Sequence, residues 1–302
     1  MEFLNSRFQL LLGYATYSRK STSNRVVPEQ QNNPLPSPPQ TSSEPPLIAK
    51  EQESLYREVL EVLNEKQVPY AVSGAFALRE HTGICRYTKD LDVFLSAHDV
   101  PTALAGLKAH GFETEITDPV WLAKARRDDY FVDLITGMSN AVILVDQSWI
   151  DRALPAEIMG VPTKVLAPEE LVASKLFVTR RERFDGADIA HVIYGTRGAI
   201  DWKRVLSLVG EHWEVLLWTL MLYRYVYPAQ TNYVPSWLWN DLLNRFALEL
   251  ENHNPKARFR GSLIDENMFS IDMNEWGLDN ILDEYRGRRM REGEVRLERK
   301  AS

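Results

Sequence analysis

Two aspartates stand two positions apart in the segment RYTKDLDVFL, residues 86–95. Alternate residues of a β-strand point to the same face, so Asp90 and Asp92 would share one face while Leu91 and Val93 occupy the other. Two carboxylates this close repel each other, and one would stay protonated unless a cation lay between them. Their oxygen atoms suit a hard divalent ion, Mg²⁺ or Mn²⁺. A half-exposed edge strand whose acids face water is the alternative.

A third acid, Asp133, interrupts another apolar segment between Val132 and Leu134. Three carboxylates on neighbouring strands could hold two metal ions roughly 4 Å apart, an arrangement that supports in-line phosphoryl or nucleotidyl transfer. Either one of the acids or a hydroxyl on the metal could then activate the attacking group. The sequence therefore predicts a metal site and catalytic centre formed by Asp90, Asp92 and Asp133.

The segment VSGAF, residues 72–76, leads from a predicted strand into a helix through Ser73 and Gly74. Glycine permits a phosphate to approach the backbone closely, and the N-terminus of a helix offers free N–H groups and the positive end of its dipole. Many turns between a strand and a helix contain glycine, so the segment alone indicates little. Its place sixteen residues before Asp90 favours a phosphate-binding turn.

The elements that must position these residues follow from periodicity. Strands are predicted at VPYAVSG, TKDLDVFL, FETEIT, WLAKARRDDYFVDLI, AVILVD and GVPTKVL, with helices before and between the first of them. From Pro168 onward the pattern is helical, beginning with PEELVASKLFVTRRERF and DGADIAHVIYG. The fold class is therefore α+β. The predicted domains are a disordered proline-rich segment 1–47, an α+β core 48–166, a helical domain 167–283 and a charged tail 284–302 that is a solvated helix or a frayed end.

Composition limits the function classes. The 302 residues carry a formal net charge of −7, which argues against indiscriminate nucleic-acid binding. Cys85 is the single cysteine, so an internal disulfide framework and a cysteine-rich zinc site are excluded and a reducing, cytoplasmic compartment is expected. A mildly basic N-terminus makes organelle import the alternative. We expect no membrane span, because no stretch approaches the roughly 20 apolar residues that one needs.

These features resemble the nucleotidyltransferase superfamily that shares the fold of DNA polymerase β. Its signature is a Gly-Gly or Gly-Ser turn followed, after a gap, by Asp-x-Asp between apolar residues, which Gly74, Asp90 and Asp92 match. More locally, RYTKDLD is similar to nucleotidyltransferases of the AbiEii toxin type and to those that modify aminoglycosides and lincosamides. The likeness covers about residues 53–195. It implies a mixed β-sheet core with flanking helices, a divalent metal and a nucleoside triphosphate (NTP) substrate such as ATP.

The resemblance also implies roles for basic residues. Arg86 and Lys89 fall within the similar run, and Lys175 matches a lysine that contacts the triphosphate in those proteins. Together with Ser73 and Gly74 they are the predicted phosphate-binding residues. The continuation of the segment after Lys175 is matched by Arg183, Asp185 and Asp188. Because AbiEii-type proteins often work beside a partner, a partner protein is a further implication.

The turn departs from the superfamily pattern, since Ala75 stands where a second glycine or a serine is usual. Ser73 could substitute from the other side of Gly74, or phosphate binding could be weaker. The departure leaves open a catalytically degenerate module that binds nucleotides or another protein.

Helix geometry places Lys175 independently of the resemblance. At about 100° per residue it falls between Leu171 and Val172, on the face expected to be buried. A buried lysine needs an anion, here a carboxylate or a phosphate, whereas a snorkelling lysine at the edge of the apolar face is the alternative. Lys124 and Arg126 alternate on one strand face and could line an acceptor groove, although a solvated strand face is the simpler interpretation.

The favoured function is metal-dependent transfer of a nucleoside monophosphate (NMP) from an NTP to an acceptor hydroxyl, with release of pyrophosphate. Sugar transfer also uses Asp-x-Asp but needs a preceding nucleotide-binding region of two or three βα units, whereas only about 40 folded residues precede Asp90. The acceptor, which could be an RNA, a protein or a small molecule, does not follow from the sequence.

Overall fold

A computed structural model describes residues 48–301, with side chains as far as Arg291. The predicted proline-rich segment 1–47 lies outside the described residues. In chain order the elements are α1 (Lys50–Glu65), β1 (Tyr70–Val72), α2 (Gly74–Thr82), β2 (Asp90–Leu95), α3 (Val100–Ala109), β3 (Glu113–Asp118), β4 (Leu122–Arg127), β5 (Tyr130–Ile135), α4 (Gln147–Arg152), β6 (Leu154–Ile158), β7 (Val161–Val165), α5 (Pro168–Lys175), α6 (Gly186–Gly195), α7 (Trp202–Val209), α8 (Trp213–Val226), α9 (Ser236–Glu251), α10 (Gly261–Asp265), α11 (Ser270–Asn274) and α12 (Ile281–Ala301). Two 3₁₀ turns, Gly210–His212 and Pro228–Tyr233, flank α8.

The strands of the described chain form one sheet in the order β3-β4-β5-β2-β1-β7-β6. Strand β2 pairs antiparallel with β1 and parallel with β5, and β1 pairs parallel with β7. The outer pairs β3–β4, β4–β5 and β6–β7 are antiparallel. The predicted α+β class with a mixed sheet and flanking helices is confirmed, and β2 with its two aspartates lies in the middle of the sheet.

Apolar residues at helical spacing hold the first helix on the sheet. Leu55, Val59 and Leu63 of α1 are buried together with apolar residues of the central strands. The next helix, α2, ends at Gly83, which adopts a left-handed conformation with φ 73° and donates its N–H to the Arg79 carbonyl oxygen. Gly83 therefore ends α2 in the left-handed conformation that glycine adopts readily.

The region between α3 and α4 differs from its prediction. The segment 121–135, predicted as one strand, is a hairpin of β4 and β5 whose turn contains Asp128 at φ 55°, a conformation that aspartate tolerates better than most residues. The prediction of a strand at 141–146 is wrong, since the segment makes only the isolated bridge between Gly137 and Leu144. Edge strand β6 was not predicted, because Pro155 breaks its pattern and is tolerated at an edge.

The helix predicted over 168–184 is too long. Helix α5 ends at Lys175, and the chain then turns back through a bridge between Thr179 and Phe184. Two hydrogen bonds between Arg180 and Arg183 close this turn, and the Asp185 N–H donates to the Val178 carbonyl oxygen at 2.9 Å. The turn brings Asp185 back to Lys175, an arrangement that a continuous helix could not produce.

One hydrophobic core joins the sheet to the helices that follow it. It includes Val93 of β2, Leu171 of α5, Leu216 of α8 and Leu242 of α9. The predicted boundary between residues 166 and 167 stays a prediction. At the C-terminus, helix α12 contacts the body of the protein through Arg286, which donates hydrogen bonds to Asp118 and to the Ser139 carbonyl oxygen.

One helical stretch, Trp202–Val226, is long and apolar enough to cross a membrane by length and composition, with a mean hydropathy of 1.3. The sequence analysis expected no stretch of this length and apolarity, and that expectation is wrong. Helices buried in a protein core meet the same criterion, and Leu216, Leu220 and Tyr223 lie in the hydrophobic core. The stretch is therefore weak evidence for a membrane span.

Candidate active site

The three predicted aspartates come together in the middle of the sheet. Strands β2 and β5 are parallel neighbours, with Asp92 directly opposite Asp133 and Asp90 opposite Phe131. Leu91, between the two aspartates of β2, is fully buried. One carboxylate oxygen from each aspartate lies within 4.8 Å of the other two. The structure thus brings together the acids that the strand period places on one face.

Burial and mutual repulsion act on these acids. Burial, followed by the charges of Asp90 and Asp133, raises the pKa of Asp92 to about 7. Burial also raises the pKa of Asp133, against the opposing effect of a hydrogen bond from Lys124. Carboxylates whose ionisation is opposed in this way are stabilised as anions by a divalent cation. Three oxygen donors within this spacing fit Mg²⁺ or Mn²⁺, which Asp90, Asp92 and Asp133 would hold.

Lys124 contacts the acids directly. It lies opposite Asp133 on β4 and donates a hydrogen bond from Nζ to Asp133 Oδ1 at 2.6 Å. Its Nζ also lies 4.3 Å from the centre of the Phe131 ring. Lys124, Asp133 and Asp92 therefore form one row across three adjacent strands. Arg126 matches the predicted solvated face instead, since it is exposed and pairs with Glu113.

Asp90 is oriented by the residue two positions before it. The Thr88 side chain is buried, and its Oγ1 lies within donating distance of both the Asp90 carbonyl oxygen, at 2.9 Å, and Asp90 Oδ1, at 3.1 Å. Thr88 is in turn held by buried Gln52, whose Nε2 donates to the Thr88 carbonyl oxygen at 3.1 Å. These hydrogen bonds therefore fix the chain segment that leads into β2 at Asp90.

The predicted phosphate turn lies against Asp92. Buried Ser73 donates its N–H to the Asp92 carbonyl oxygen at 2.9 Å, and α2 begins at Gly74 with φ 59°. The first N–H groups of a helix have no carbonyl partner within it, so the start of α2 offers donors beside the acids. Ala75, the departure from the superfamily pattern, lies in this first turn and is buried.

A chain of ion pairs lies beside the acids. Lys175, which is only 4% exposed, donates from Nζ to Asp185 at 2.7 Å and to Asp188 at 2.8 Å. Arg86 donates to both carboxylate oxygens of Asp188, and Arg183 donates to both of Asp185. Burial opposes ionisation of the two acids, but Lys175 and the arginines lower the pKa of each below its usual value. We call these five residues the ion-pair network.

The network gives the predicted basic residues different surroundings. Lys175 is buried beside anions, as helix geometry predicted, and those anions are carboxylates of this chain. Arg86 is partly exposed and belongs to the same network. Lys89 is exposed immediately before β2. The structure therefore brings Arg86 and Lys175 into one network and leaves Lys89 outside it.

Sequence reasoning did not assign two residues of this site. Lys124 was considered only as part of an acceptor groove or a solvated face, since its pairing with Asp133 depends on the register of β4 against β5. Arg183 was placed in the similar segment without a role, and it reaches the site only because the chain turns back after Lys175. Period-two alternation on β4 is the signal that indicated Lys124.

Comparison with solved structures gives several distant likenesses. An antigenic nucleotidyltransferase-like protein from Paracoccidioides brasiliensis is 20% identical, with 63% of this chain and 95% of that chain covered and a TM-score of 0.43. The antibiotic-resistance factor ANT(2'')-Ia is 16% identical, with 60% of this chain and 96% of that chain covered and a TM-score of 0.38. The lincosamide antibiotic adenylyltransferase LnuA is 14% identical, with 48% of this chain and 96% of that chain covered and a TM-score of 0.35.

Comparison with sequences is more decisive. No curated protein matches this chain. The profile of the family described as "Nucleotidyl transferase of unknown function (DUF2204)" matches residues 52–214, which is more than half of the 302 residues and includes the acids, the turn and the ion-pair network. The predicted superfamily is thereby confirmed, and this chain belongs to the nucleotidyl transferase family of unknown function.

Proposed function

We propose that this protein transfers a nucleoside monophosphate from an NTP to an acceptor hydroxyl in a metal-dependent reaction that releases pyrophosphate. The observation that carries the proposal is the cluster of Asp90, Asp92 and Asp133 on adjacent strands. The turn at Ser73 and Gly74 lies against this cluster, and the start of α2 would supply backbone donors for phosphate oxygens. Membership of a nucleotidyl transferase family supports the same reaction class.

Asp90 and Asp92 would hold the Mg²⁺ or Mn²⁺ that accompanies the triphosphate, and Asp133 would complete a second site. A divalent ion bound there neutralises triphosphate charge and stabilises the charge that develops on the oxygens during transfer. Thr88 supports this assignment, because it holds Asp90 in one orientation before any ligand binds. The backbone at Gly74 leaves room for the Asp92 carboxylate beside the start of α2.

The chemical step is an in-line displacement at the α-phosphorus. The acceptor oxygen forms a bond to this phosphorus while the bond to the oxygen bridging the α- and β-phosphates breaks, and pyrophosphate leaves. The hydroxyl proton passes to a carboxylate oxygen of Asp133. Lys124 donates a hydrogen bond to Oδ1 of this carboxylate and so leaves Oδ2 to accept the proton.

Among the predicted phosphate-binding residues, Arg86 and Lys89 expose part of their side chains and could reach a triphosphate from the solvent side. Lys175 is enclosed by Asp185 and Asp188, which supports a role in anchoring the ion-pair network rather than contact with a phosphate. Cys85 is the single cysteine, which suits a reducing cytoplasmic setting for this activity.

The test is incubation of the purified protein with each α-³²P-labelled NTP, Mg²⁺ and a cell lysate, followed by separation of RNA, protein and small molecules. The labelled fraction identifies the acceptor class, and D92N should abolish labelling while the circular dichroism spectrum is retained. Transfer by D92N at the wild-type rate would overturn the assignment. Mg²⁺-dependent NTP binding without pyrophosphate release, across all acceptors tried, would instead favour a degenerate nucleotide-binding module.

A further inference from the structure

A cavity lies at the far end of α6 from the ion-pair network. It has a volume of about 370 Å³ and is open to solvent. The loop between α6 and α7 lines one side, and the end of the 3₁₀ turn Pro228–Tyr233 with the start of α9 lines the other. Asp188 of the network lies in the first turn of α6, and the ten residues of this helix rise by about 15 Å. The cavity is therefore separate from the candidate active site, and its volume is that of a small-molecule site, roughly 300–1,000 Å³.

Close backbone packing joins the two sides of the cavity. A Cβ on Gly198 would overlap the Tyr233 carbonyl oxygen and lie 2.8 Å from the Tyr233 Cα, so the loop and the 3₁₀ turn are in direct contact there. The Gly198 N–H donates to the Ile193 carbonyl oxygen at 2.9 Å, which ties the loop to α6. Ile200 and Trp202, which also line the cavity, belong to the hydrophobic core. The shape of the cavity is therefore set by the fold itself.

Two cations that line the cavity are unpaired. Arg197 and Lys203 are exposed, and neither side chain forms an ion pair within the described part of the chain. The one acid among the lining residues, Asp201, is already engaged, since its carboxylate accepts from the Arg204 N–H at 3.2 Å and lies 3.7 Å from Arg152 Nη2. The cavity therefore presents net positive charge and suits an anionic ligand.

The cavity also presents a flat ring and polar groups without partners. Trp237 is 45% exposed, although tryptophan is buried to a high degree on average, and its ring pairs with no aromatic ring of a described residue. The exposed Asn232 amide, which offers both donors and an acceptor, makes no side-chain hydrogen bond to the described residues. Buried Trp202 carries an Nε1–H group that likewise has no acceptor among them. Stacking and hydrogen bonding are therefore both available to a planar ligand.

We propose that this cavity binds a nucleotide, with its base stacked on Trp237, the edge of the base on Asn232, and its phosphate between Arg197 and Lys203. An aromatic platform beside free cations is the combination by which proteins hold unpaired nucleotides. A free nucleotide and an unpaired nucleotide of an RNA strand share this chemistry. The inference goes beyond the proposed function, because this binding needs neither the three acids nor a metal.

The test measures binding by calorimetry in EDTA, which removes metal-dependent binding at the three acids. The probes are AMP, a single-stranded oligoadenylate of about eight nucleotides, and a blunt RNA duplex of the same length. We expect W237A to bind AMP and the single strand roughly 10-fold or more weakly, the scale for losing one base stacked on an aromatic ring. W237F keeps a ring and should stay within about 3-fold of the wild type.

A second variant tests the cations independently of the ring. Arg197 has φ 54°, a left-handed conformation that asparagine tolerates well, so R197N removes the charge without straining the loop. It should weaken binding of both AMP and the single strand and reduce the dependence of binding on salt. If W237A fails to fold, R197N decides, and wild-type affinity in R197N would then overturn the proposal.

W276A is the matched control, because Trp276 is 69% exposed and does not line the cavity. It should bind every probe as the wild type does. Tighter binding of the single strand than of AMP would identify RNA as the source of the nucleotide, and equal binding would identify a free nucleotide. Equal affinity of W237A and wild type, or of duplex and single strand, would overturn the site, because bases already stacked in a duplex cannot stack on Trp237. Failure of the wild type to bind AMP and the single strand would also overturn it and leave the proposed function standing.

Discussion

Gly74 and Asp92 are packed so closely that no side chain fits at position 74. A Cβ on Gly74 would overlap Asp92 Oδ2 and lie 3.1 Å from its Cγ. The backbone at Gly74 has φ 59°, which L-residues with side chains rarely adopt. The adjoining Ser73 N–H binds the Asp92 carbonyl oxygen. Position 74 therefore requires glycine for two independent reasons, one of conformation and one of space beside a candidate metal ligand.

The two reasons can be separated by substitution. Gly111 has φ 82°, and no atom lies within 4 Å of the point that a Cβ on this residue would occupy, so G111A tests conformation alone. We expect both G74A and G111A to lose about 1 kcal/mol of unfolding free energy from the left-handed backbone. Only G74A should also displace Asp92 and lose Mn²⁺ binding, measured by calorimetry. Wild-type Mn²⁺ affinity in G74A would show that Asp92 can move aside at no cost to the site.

Asp92 makes stability depend on pH when no metal is present. Its pKa is about 7 in the folded protein against a usual value of 3.8. Between these values the folded state binds a proton that the unfolded state has released, so stability falls as pH rises from 4 to 7. His81 and His212 have pKa values that burial lowers, and they act in the opposite direction. The informative quantity is therefore the difference between wild type and D92N.

We expect D92N to gain stability relative to the wild type as pH rises from 5 to 8, as measured by urea unfolding in the presence of EDTA. Added Mg²⁺ should stabilise the wild type more at pH 8 than at pH 5.5, because the ion binds the deprotonated acids. D92N should respond weakly to Mg²⁺ at both pH values. A difference between the two proteins that stays constant with pH would contradict the raised pKa of Asp92.

Lys124 competes with a cation for the charge of Asp133. In K124M the hydrogen bond to Asp133 Oδ1 is lost, and Asp133 faces a metal without the lysine charge that is paired with it. We expect Mn²⁺ to bind several-fold more tightly, on the order of 10-fold, because a repelling charge is removed. Turnover should fall, since Asp133 loses the group that orients it.

R126M is the matched control, because Arg126 lies on the same face of β4 but pairs with exposed Glu113. It should leave both Mn²⁺ affinity and turnover within about 2-fold of wild type, as expected for an exposed pair. Weaker Mn²⁺ binding in K124M than in R126M would mean that Lys124 supports the metal site rather than competing with the ion.

The acids could be predicted from the sequence because strand period does not depend on tertiary structure. Asp90 and Asp92 share a face in any strand, and their apolar neighbours show which face is buried. Predicting that Asp133 lies close to the other two acids required one further assumption, namely that its strand is a neighbour of β2. The parallel pairing of β2 with β5 agrees with that assumption. The alternation within each strand and the pairing of the two strands therefore place the three acids at the same site.

The partners of the basic residues could not be predicted in the same way. Lys124 meets Asp133 through a hairpin whose turn, at Asp128 and Asp129, contains no glycine or proline to indicate it. Lys175 meets acids ten and thirteen residues further along the chain. Those contacts require α5 to end at Lys175, an end that helix propensity alone does not predict.

Lys175 should contribute strongly to stability. It is the cation between two largely buried carboxylates, so K175M leaves Asp185 and Asp188 close together with only arginines at their outer edges. Removing one partner from a buried ion pair typically costs about 3–5 kcal/mol. We expect K175M to lose unfolding free energy on this scale in urea titrations. D185N should lose less, since Lys175 keeps Asp188.

This difference decides how loss of activity in Lys175 variants is to be interpreted. If K175M is destabilised and inactive while D185N remains folded and active, Lys175 acts by holding the network that positions Arg86 and Arg183. If K175M keeps wild-type stability and triphosphate binding is lost, Lys175 contacts the phosphate directly, as the superfamily resemblance implies. R57M, which breaks an exposed pair with Glu61 on α1, should change neither stability nor binding and calibrates both measurements.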